Sequence, residues 1–125
     1  MTENELSNIV LGEAIKVHKH LGPGLLESVY ESCLVFHLFE LGLKIERQKP
    51  IPLVYHKVKL DCGFRCDIIV ENKLVIEVKA VDQLNEVHIA QVLTYLKLTG
   101  VRLGLLVNFN VLVLKQGIRR VVNNL

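Results

Sequence analysis

The sequence has no apolar run of the roughly 18 residues that a membrane-spanning helix needs. Its first residues, MTENELSN, are acidic and polar, so they do not resemble a signal peptide. These absences predict a cytoplasmic protein without a membrane partner. Cysteine is scarce. Cys33, Cys62 and Cys66 are an odd number set among apolar neighbours, which predicts buried free thiols in a reducing compartment. Cys62 and Cys66 have C-x3-C spacing, but no second Cys/His pair completes a metal site. Charge of one sign is also missing: the formal net charge is +2, too little to argue for nucleic acid by itself. A local basic patch can still sit on a near-neutral protein. There is no linker, repeat or low-complexity segment, and with half the residues apolar there is no signature of disorder. A length of 125 residues predicts one domain, 1–125, large enough to bury roughly two-thirds of its unfolded surface.

Periodicity then divides the chain. TENELSNIVLGEAIKVHKHLG predicts a helix, with Thr2 and Glu5 spaced as a capping box. Leu6, Ile9, Val10, Ala14, Val17 and Leu21 recur at helical intervals. Gly22-Pro23-Gly24 stops it. A second helix is expected over about Leu25–Leu41, turning Leu26, Val29, Cys33, Leu34 and Leu38 inward. Alternation follows. KIERQKPIPLVY is a strand whose prolines weaken its second half, and KVKLDCGFRCDIIV and KLVIEVKA are two more. EVHIAQVLTYLKLTG is a third helix closed by Gly100. RLGLLVNF is a buried strand, and VLVLKQGIRRVV is expected to form a final hairpin turning at Gln116-Gly117. The order α-α-β-β-β-α-β-β-β predicts an α/β or α+β layer structure with helices covering a mixed sheet.

Three charges interrupt the apolar hairpin FRCDIIVENKLVIEVKA: Asp67, Glu77 and Lys79. Alternate residues of a strand share a face. Cys66, Ile68 and Val70 form one apolar face before the turn; Leu74, Ile76 and Val78 form one after it. Both faces reach the same core only if Val70 pairs with Leu74 across the three-residue loop Glu71-Asn72-Lys73, because a slip of one residue turns a strand inside out. That register sets Asp67 opposite Glu77 and Arg65 opposite Lys79. Opposed like charges destabilise a sheet, so a compensating cation is expected. Lys79 with Arg65, or a divalent metal ion, would serve.

These residues carry a resemblance. Asp67, nine residues, then Glu77-Val78-Lys79 is similar to the core motif of the PD-(D/E)XK nuclease superfamily. GLLESVY (Gly24–Tyr30) fits Gly-x-x-Glu-x-x-Tyr, the signature of its GxxExxY family. ERQKPIPL, HIAQVLTYLK and TGVRLGLLVNF extend the similarity, in the family's order, over nearly the whole chain. The resemblance implies a restriction-endonuclease-like core and a Mg²⁺- or Mn²⁺-dependent hydrolysis of phosphodiesters. DNA is the favoured substrate and partner, ahead of RNA. It implies that Asp67, Glu77 and the Val78 carbonyl bind the metal, that Lys79 assists the attacking water, and that Glu27 is an additional helical acid that binds the metal directly or through water. Glu27 also has a plain explanation as a first-turn acid meeting the helix dipole; Tyr30, one turn on, is a supporting candidate that packs beside Glu27 or donates its hydroxyl to it, with core packing as the plainer reading. Gln91 and Tyr95, four apart on the third helix, with His88 one turn earlier, are supporting candidates; a solvated polar face is the alternative. Arg47, Arg65 and His88 are candidate nucleic-acid contacts, against the plainer reading as solvated charges. A non-catalytic nucleic-acid-binding or regulatory module on the same fold is the competing function. Cutting both strands together would take two sites, so the apolar final hairpin is a candidate homodimer interface.

Overall fold

The computed structural model describes residues 1–125. Three helices and seven strands follow one another as α1 (Glu3–Leu21), α2 (Glu27–Glu40), β1 (Ile45–Pro50), β2 (Leu53–Tyr55), β3 (Val58–Leu60), β4 (Arg65–Val70), β5 (Leu74–Lys79), α3 (Glu86–Thr99), β6 (Leu103–Asn108) and β7 (Ile118–Val122). A 3-10 turn at Leu114–Gly117 precedes β7. A five-stranded sheet has the order β1-β4-β5-β6-β7, and β2 and β3 form a separate two-stranded sheet. Only β5 and β6 pair in parallel, and α3 supplies the crossover that parallel strands require. The expected class, a mixed sheet flanked by helices, and the order of helical and strand blocks are those observed.

Each helix lies where its apolar stripe demands. Leu6, Val10, Ala14 and Val17 of α1 and Tyr30, Leu34 and Leu38 of α2 cover one face, against Ile68, Val70, Leu74 and Ile76. Val92, Tyr95 and Leu96 of α3 cover the other, against Ile69, Val75 and Leu106. α1 starts on Thr2, whose hydroxyl oxygen accepts the Glu5 N–H at 3.1 Å. α3 starts on Asn85, whose side chain accepts the N–H groups of Val87 and His88 while His88 Nδ1 accepts the N–H of Asn85, a reciprocal cap. It ends on Gly100 at φ 76°, the left-handed geometry that glycine adopts without strain.

The β4–β5 register is the one hydrophobic alternation requires. Val70 pairs with Leu74 and Ile68 with Ile76. Glu71 and Asn72 both adopt φ 53° to close the three-residue loop, and the Lys73 N–H returns to the Val70 carbonyl at 2.9 Å.

Several expectations need correction. The stretch 44–55 is two strands in different sheets, β1 and β2, because the chain leaves the ladder at Pro50–Pro52. The stretch 57–70 is likewise split into β3 and β4, with residues 61–64 outside either strand. α2 begins at Glu27, which leaves Leu26 and Val29 exposed instead of inward. No hairpin forms within 111–122: β7 pairs antiparallel with β6. There Gly117 packs so closely beneath Asn108 that an added Cβ would lie 2.2 Å from the Asn108 carbonyl oxygen. Of the three thiols only Cys66 is buried; Cys62 is exposed. Cys66 also packs with Ile69 and Val75 instead of sharing the Ile68 face, for a reason that lies in the site.

Candidate active site

The backbone ladder between β4 and β5 ends at Ile68–Ile76. One residue further, side chains take over its bonds. The Asp67 N–H donates to Glu77 Oε1 at 3.1 Å, and the Val78 N–H donates to Asp67 Oδ2 at 2.9 Å. Each acid therefore satisfies a backbone donor on the opposite strand, as buried N–H groups demand. The two carboxylates stand side by side, the adjacency that the alternation forces.

Their electrostatics are unfavourable. Glu77 is 3% exposed. Burial, and then the charge of Asp67, push its carboxyl up to about 8. Asp67 is raised as well, chiefly by burial, with Glu31 adding to the effect; the Val78 N–H, the Gln48 amide and Lys79 oppose it. Neither acid forms an ion pair. Lys79 Nζ instead lies 3.5 Å from Gln91 Oε1, and Gln91 Nε2 donates to the Tyr95 hydroxyl at 3.1 Å. Tyr95 is buried, and burial together with the charge of Glu77 drives its hydroxyl up to about 12. Gln91 and Tyr95 thus form a neutral strut that holds the lysine beside the acids. Burial, followed by the charges of Glu77 and Asp67, likewise drives the Cys66 thiol up to about 12, which leaves it unreactive.

The Gly-x-x-Glu-x-x-Tyr segment sets the start of α2. Gly24 turns the chain at φ 96°. The Tyr30 hydroxyl donates to the Gly22 carbonyl at 2.6 Å and accepts the Leu25 N–H at 3.1 Å. Its ring stacks on Phe109 with centroids 4.6 Å apart. Tyr30 therefore braces the turn and does not bond to Glu27. Glu27 is exposed and its Oε2 accepts the Ala80 N–H at 3.2 Å, one residue past Lys79. Buried Asn108 clamps the same segment: its side chain accepts the Val81 N–H and donates to the Val81 carbonyl.

Two residues that sequence reasoning missed sit against Asp67. Gln48 lies in β1 at φ 50°, a left-handed conformation costly for a residue with a Cβ. Its Nε2 donates to Asp67 Oδ1 at 3.1 Å and to Glu31 Oε1 at 2.8 Å. Glu31 is buried and accepts Arg47 Nε at 2.6 Å. Here β1 and β4 both change face. Ile45 packs on the α1–α2 side but Ile51 on the α3 side, although an even spacing would keep them together. The same inversion separates Ile68 from Cys66. A glutamine within a charged run carries no periodic signal, so nothing in the pattern marked it. Of the candidate nucleic-acid contacts, Arg47 is engaged by Glu31 and Ser32, His88 caps α3, and Arg65 is exposed at the start of β4.

A family model of the PD-(D/E)XK nuclease superfamily matches residues 4–121. The chain belongs to the PD-(D/E)XK nuclease superfamily. No curated protein and no solved structure matches it. Superfamily membership brings a nuclease-type function, with nucleic acid as its substrate class and a divalent metal ion as the usual cofactor. The donor set fits such an ion: a buried and a half-buried carboxylate, mutually repelling and without an ion-paired cation, are the oxygen ligands that a hard cation takes. Three such side chains do not converge, because no group of three or more His, Cys, Asp or Glu residues is placed to hold a metal. Glu27 stands apart from the pair. No helix of this nuclease-superfamily fold is long and apolar enough to cross a membrane.

Stability should report the buried acid. Glu77 holds its proton more tightly in the folded chain, at about 8, than at its ordinary value of 4.5. Between those values the native state binds more protons, so stability falls as pH rises through the window. The midpoint of thermal unfolding in EDTA should drop from pH 4.5 to 8, and Glu77→Gln should flatten the drop; an identical profile in that variant contradicts the assignment. At Gln48 the left-handed backbone and the amide can be separated. Gln48→Gly loses only the amide, whereas Gln48→Ala also keeps the strain. Urea unfolding should show the alanine variant less stable than the glycine variant by about 1 kcal/mol.

Proposed function

We propose that this chain is a metal-dependent nuclease that hydrolyses phosphodiester bonds, in DNA in preference to RNA, with Asp67, Glu77 and Lys79 at its centre. The pair of adjacent carboxylates, Glu77 buried and Asp67 half-buried, without an ion-paired cation and beside a lysine braced by Gln91, is the observation that carries this reading. Asp67, Glu77 and the Val78 carbonyl would hold Mg²⁺ or Mn²⁺. A divalent cation bound there supplies polarisation of the phosphodiester and a lowered pKa for a bound water. Lys79 orients the attacking water and meets the negative charge that develops on the phosphate. Gln91 and Tyr95 keep its ammonium group from collapsing onto the carboxylates. Glu27, bonded to the Ala80 N–H, is the supporting acid at the end of β5, and the motif Gly24-x-x-Glu27-x-x-Tyr30 supports the finer placement in the GxxExxY branch. Arg65 is the candidate cation for the nucleic-acid backbone.

A second reading, a nucleic-acid-binding module that keeps the fold without turnover, is favoured by one observation: no group of three or more His, Cys, Asp or Glu residues is placed to hold a metal ion. Plasmid and single-stranded DNA incubated with Mg²⁺ or Mn²⁺ distinguish the two. Cleavage should appear with wild type and fall roughly 100-fold or more in Lys79→Ala, and Mn²⁺ binding by calorimetry should vanish in Asp67→Ala. Undiminished cleavage by Lys79→Ala rejects the centre. Mn²⁺ binding without cleavage of any nucleic acid selects the module.

A further inference from the structure

The hairpin of β2 and β3 has no part in the centre described above. It leaves the sheet where Pro50 pairs with Arg65, at the end of β1 and the start of β4. Its base is anchored. Ile51 is buried, its N–H donates to the Phe64 carbonyl at 2.9 Å, and the Phe64 ring meets Tyr95 edge-on at 6.3 Å. Beyond that point β2 and β3 pair only with each other. His56 and Lys57 form the tip at φ 50° and 65°, two successive left-handed residues as in a tight hairpin turn.

The composition of this arm is one-sided. Leu53–Leu60 reads LVYHKVKL, with His56, Lys57 and Lys59 and no acid. By register Leu53, Tyr55, Val58 and Leu60 share one face, and Val54 and Lys59 the other. Tyr55 is 60% exposed, its ring held perpendicular to the His56 ring at 4.5 Å. The position of the arm matters as much. Asp67 lies two residues past Arg65, and β5, antiparallel to β4, reaches Lys79 at the same end of the sheet. The arm therefore projects from the edge that carries the carboxylate pair, and its base touches the helix that braces Lys79.

We propose that the β2–β3 hairpin is a nucleic-acid-binding arm that takes a single-stranded stretch beside the carboxylate centre, with a base stacked on Tyr55 and a phosphate met by Lys57 at the tip. An exposed aromatic face flanked by cations is the chemistry that binds unpaired bases and their backbone. A duplex hides the base faces that Tyr55 would use. The absence of acid from Leu53–Leu60 matches a polyanion; the exposed Val54, Val58 and Leu60 make a second copy the competing occupant that the test below separates. The assignment of this strand as substrate rests on the proposed function; the binding itself does not.

The test is fluorescence anisotropy of a short labelled single strand and its duplex, in EDTA, with the full chain. Tyr55→Ser and Lys57→Ser should each weaken single-strand binding about 10-fold. The lysine variant should also lower the salt dependence by about one ion equivalent. With Mn²⁺, hydrolysis of bis(4-nitrophenyl) phosphate, too small to reach the arm, should be the same in all three proteins. Unchanged single-strand affinity in both variants overturns the proposal. So does equal loss of duplex and single-strand binding, which would make the arm a general phosphate contact. A wild-type dimer in sedimentation velocity that Tyr55→Ser dissociates without change in DNA affinity assigns the arm to a second copy and also overturns it. Should wild type cleave neither DNA nor the small diester, the catalytic reading fails while the anisotropy result still decides the arm.

Discussion

Asp67 and Glu77 trade hydrogen bonds with each other's strands, and the surrounding structure answers to that exchange. Two acids in the same buried space repel, and burial removes the water that would screen them. The fold meets the difficulty with neutral donors. Two backbone N–H groups and the Gln48 amide bond to the pair, while both nearby cations are held elsewhere: Lys79 by Gln91, Arg47 by Glu31. Had Arg47 or Lys79 closed on the acids, the pair would be a neutralised ion cluster with little reason to take up a metal ion. Keeping the cations one step away leaves the carboxylates raised in pKa and short of positive charge.

That exchange also shapes the sheet. The β4–β5 ladder has to end at Ile68–Ile76 so that side chains can replace its bonds. β1 accommodates the change opposite Asp67 with a left-handed Gln48, and both strands invert their faces there. The segment beyond the inversion carries Ile51, Cys66 and Phe64 to the α3 side. There they wall in Tyr95 and anchor the β2–β3 arm. The α3-packed region, the left-handed glutamine and the base of the projecting hairpin thus all meet at the carboxylate pair.

The legible part of this was what hydrophobic alternation controls. Val70 and Leu74 could pair only one way without turning a strand inside out, and the adjacency of Asp67 and Glu77 followed from that register alone. Helical spacing placed α1 and α3, and their caps were visible as Thr2 and Gly100. Polar determinants were not legible. Glu31 and Gln48 went unmarked, because neither a buried acid nor an exposed amide bonded to it has a period of its own. The face of Cys66 was missed for the same reason: strict alternation has no means of anticipating a left-handed residue in the neighbouring strand. Leu26 and Val29 had helical spacing, but whether they turned inward depended on where α2 starts, which Tyr30 decides through its bonds to Gly22 and Leu25. The final strand was misplaced because Val111–Leu114 is as apolar as any strand, while the close approach of Gly117 to Asn108 is a tertiary fact.

The central claim is that Asp67 and Glu77, without Glu27, are the side chains of one divalent metal site. A crystal structure grown with Mn²⁺ at a pH above 8, read by anomalous scattering at the manganese edge, tests it most directly. The account predicts a single strong peak shared by the two carboxylates and the Val78 carbonyl, with Lys79 still directed to Gln91. A peak bound by Glu27 or Glu31 instead, or no peak beside an intact Asp67–Glu77 pair, would contradict it.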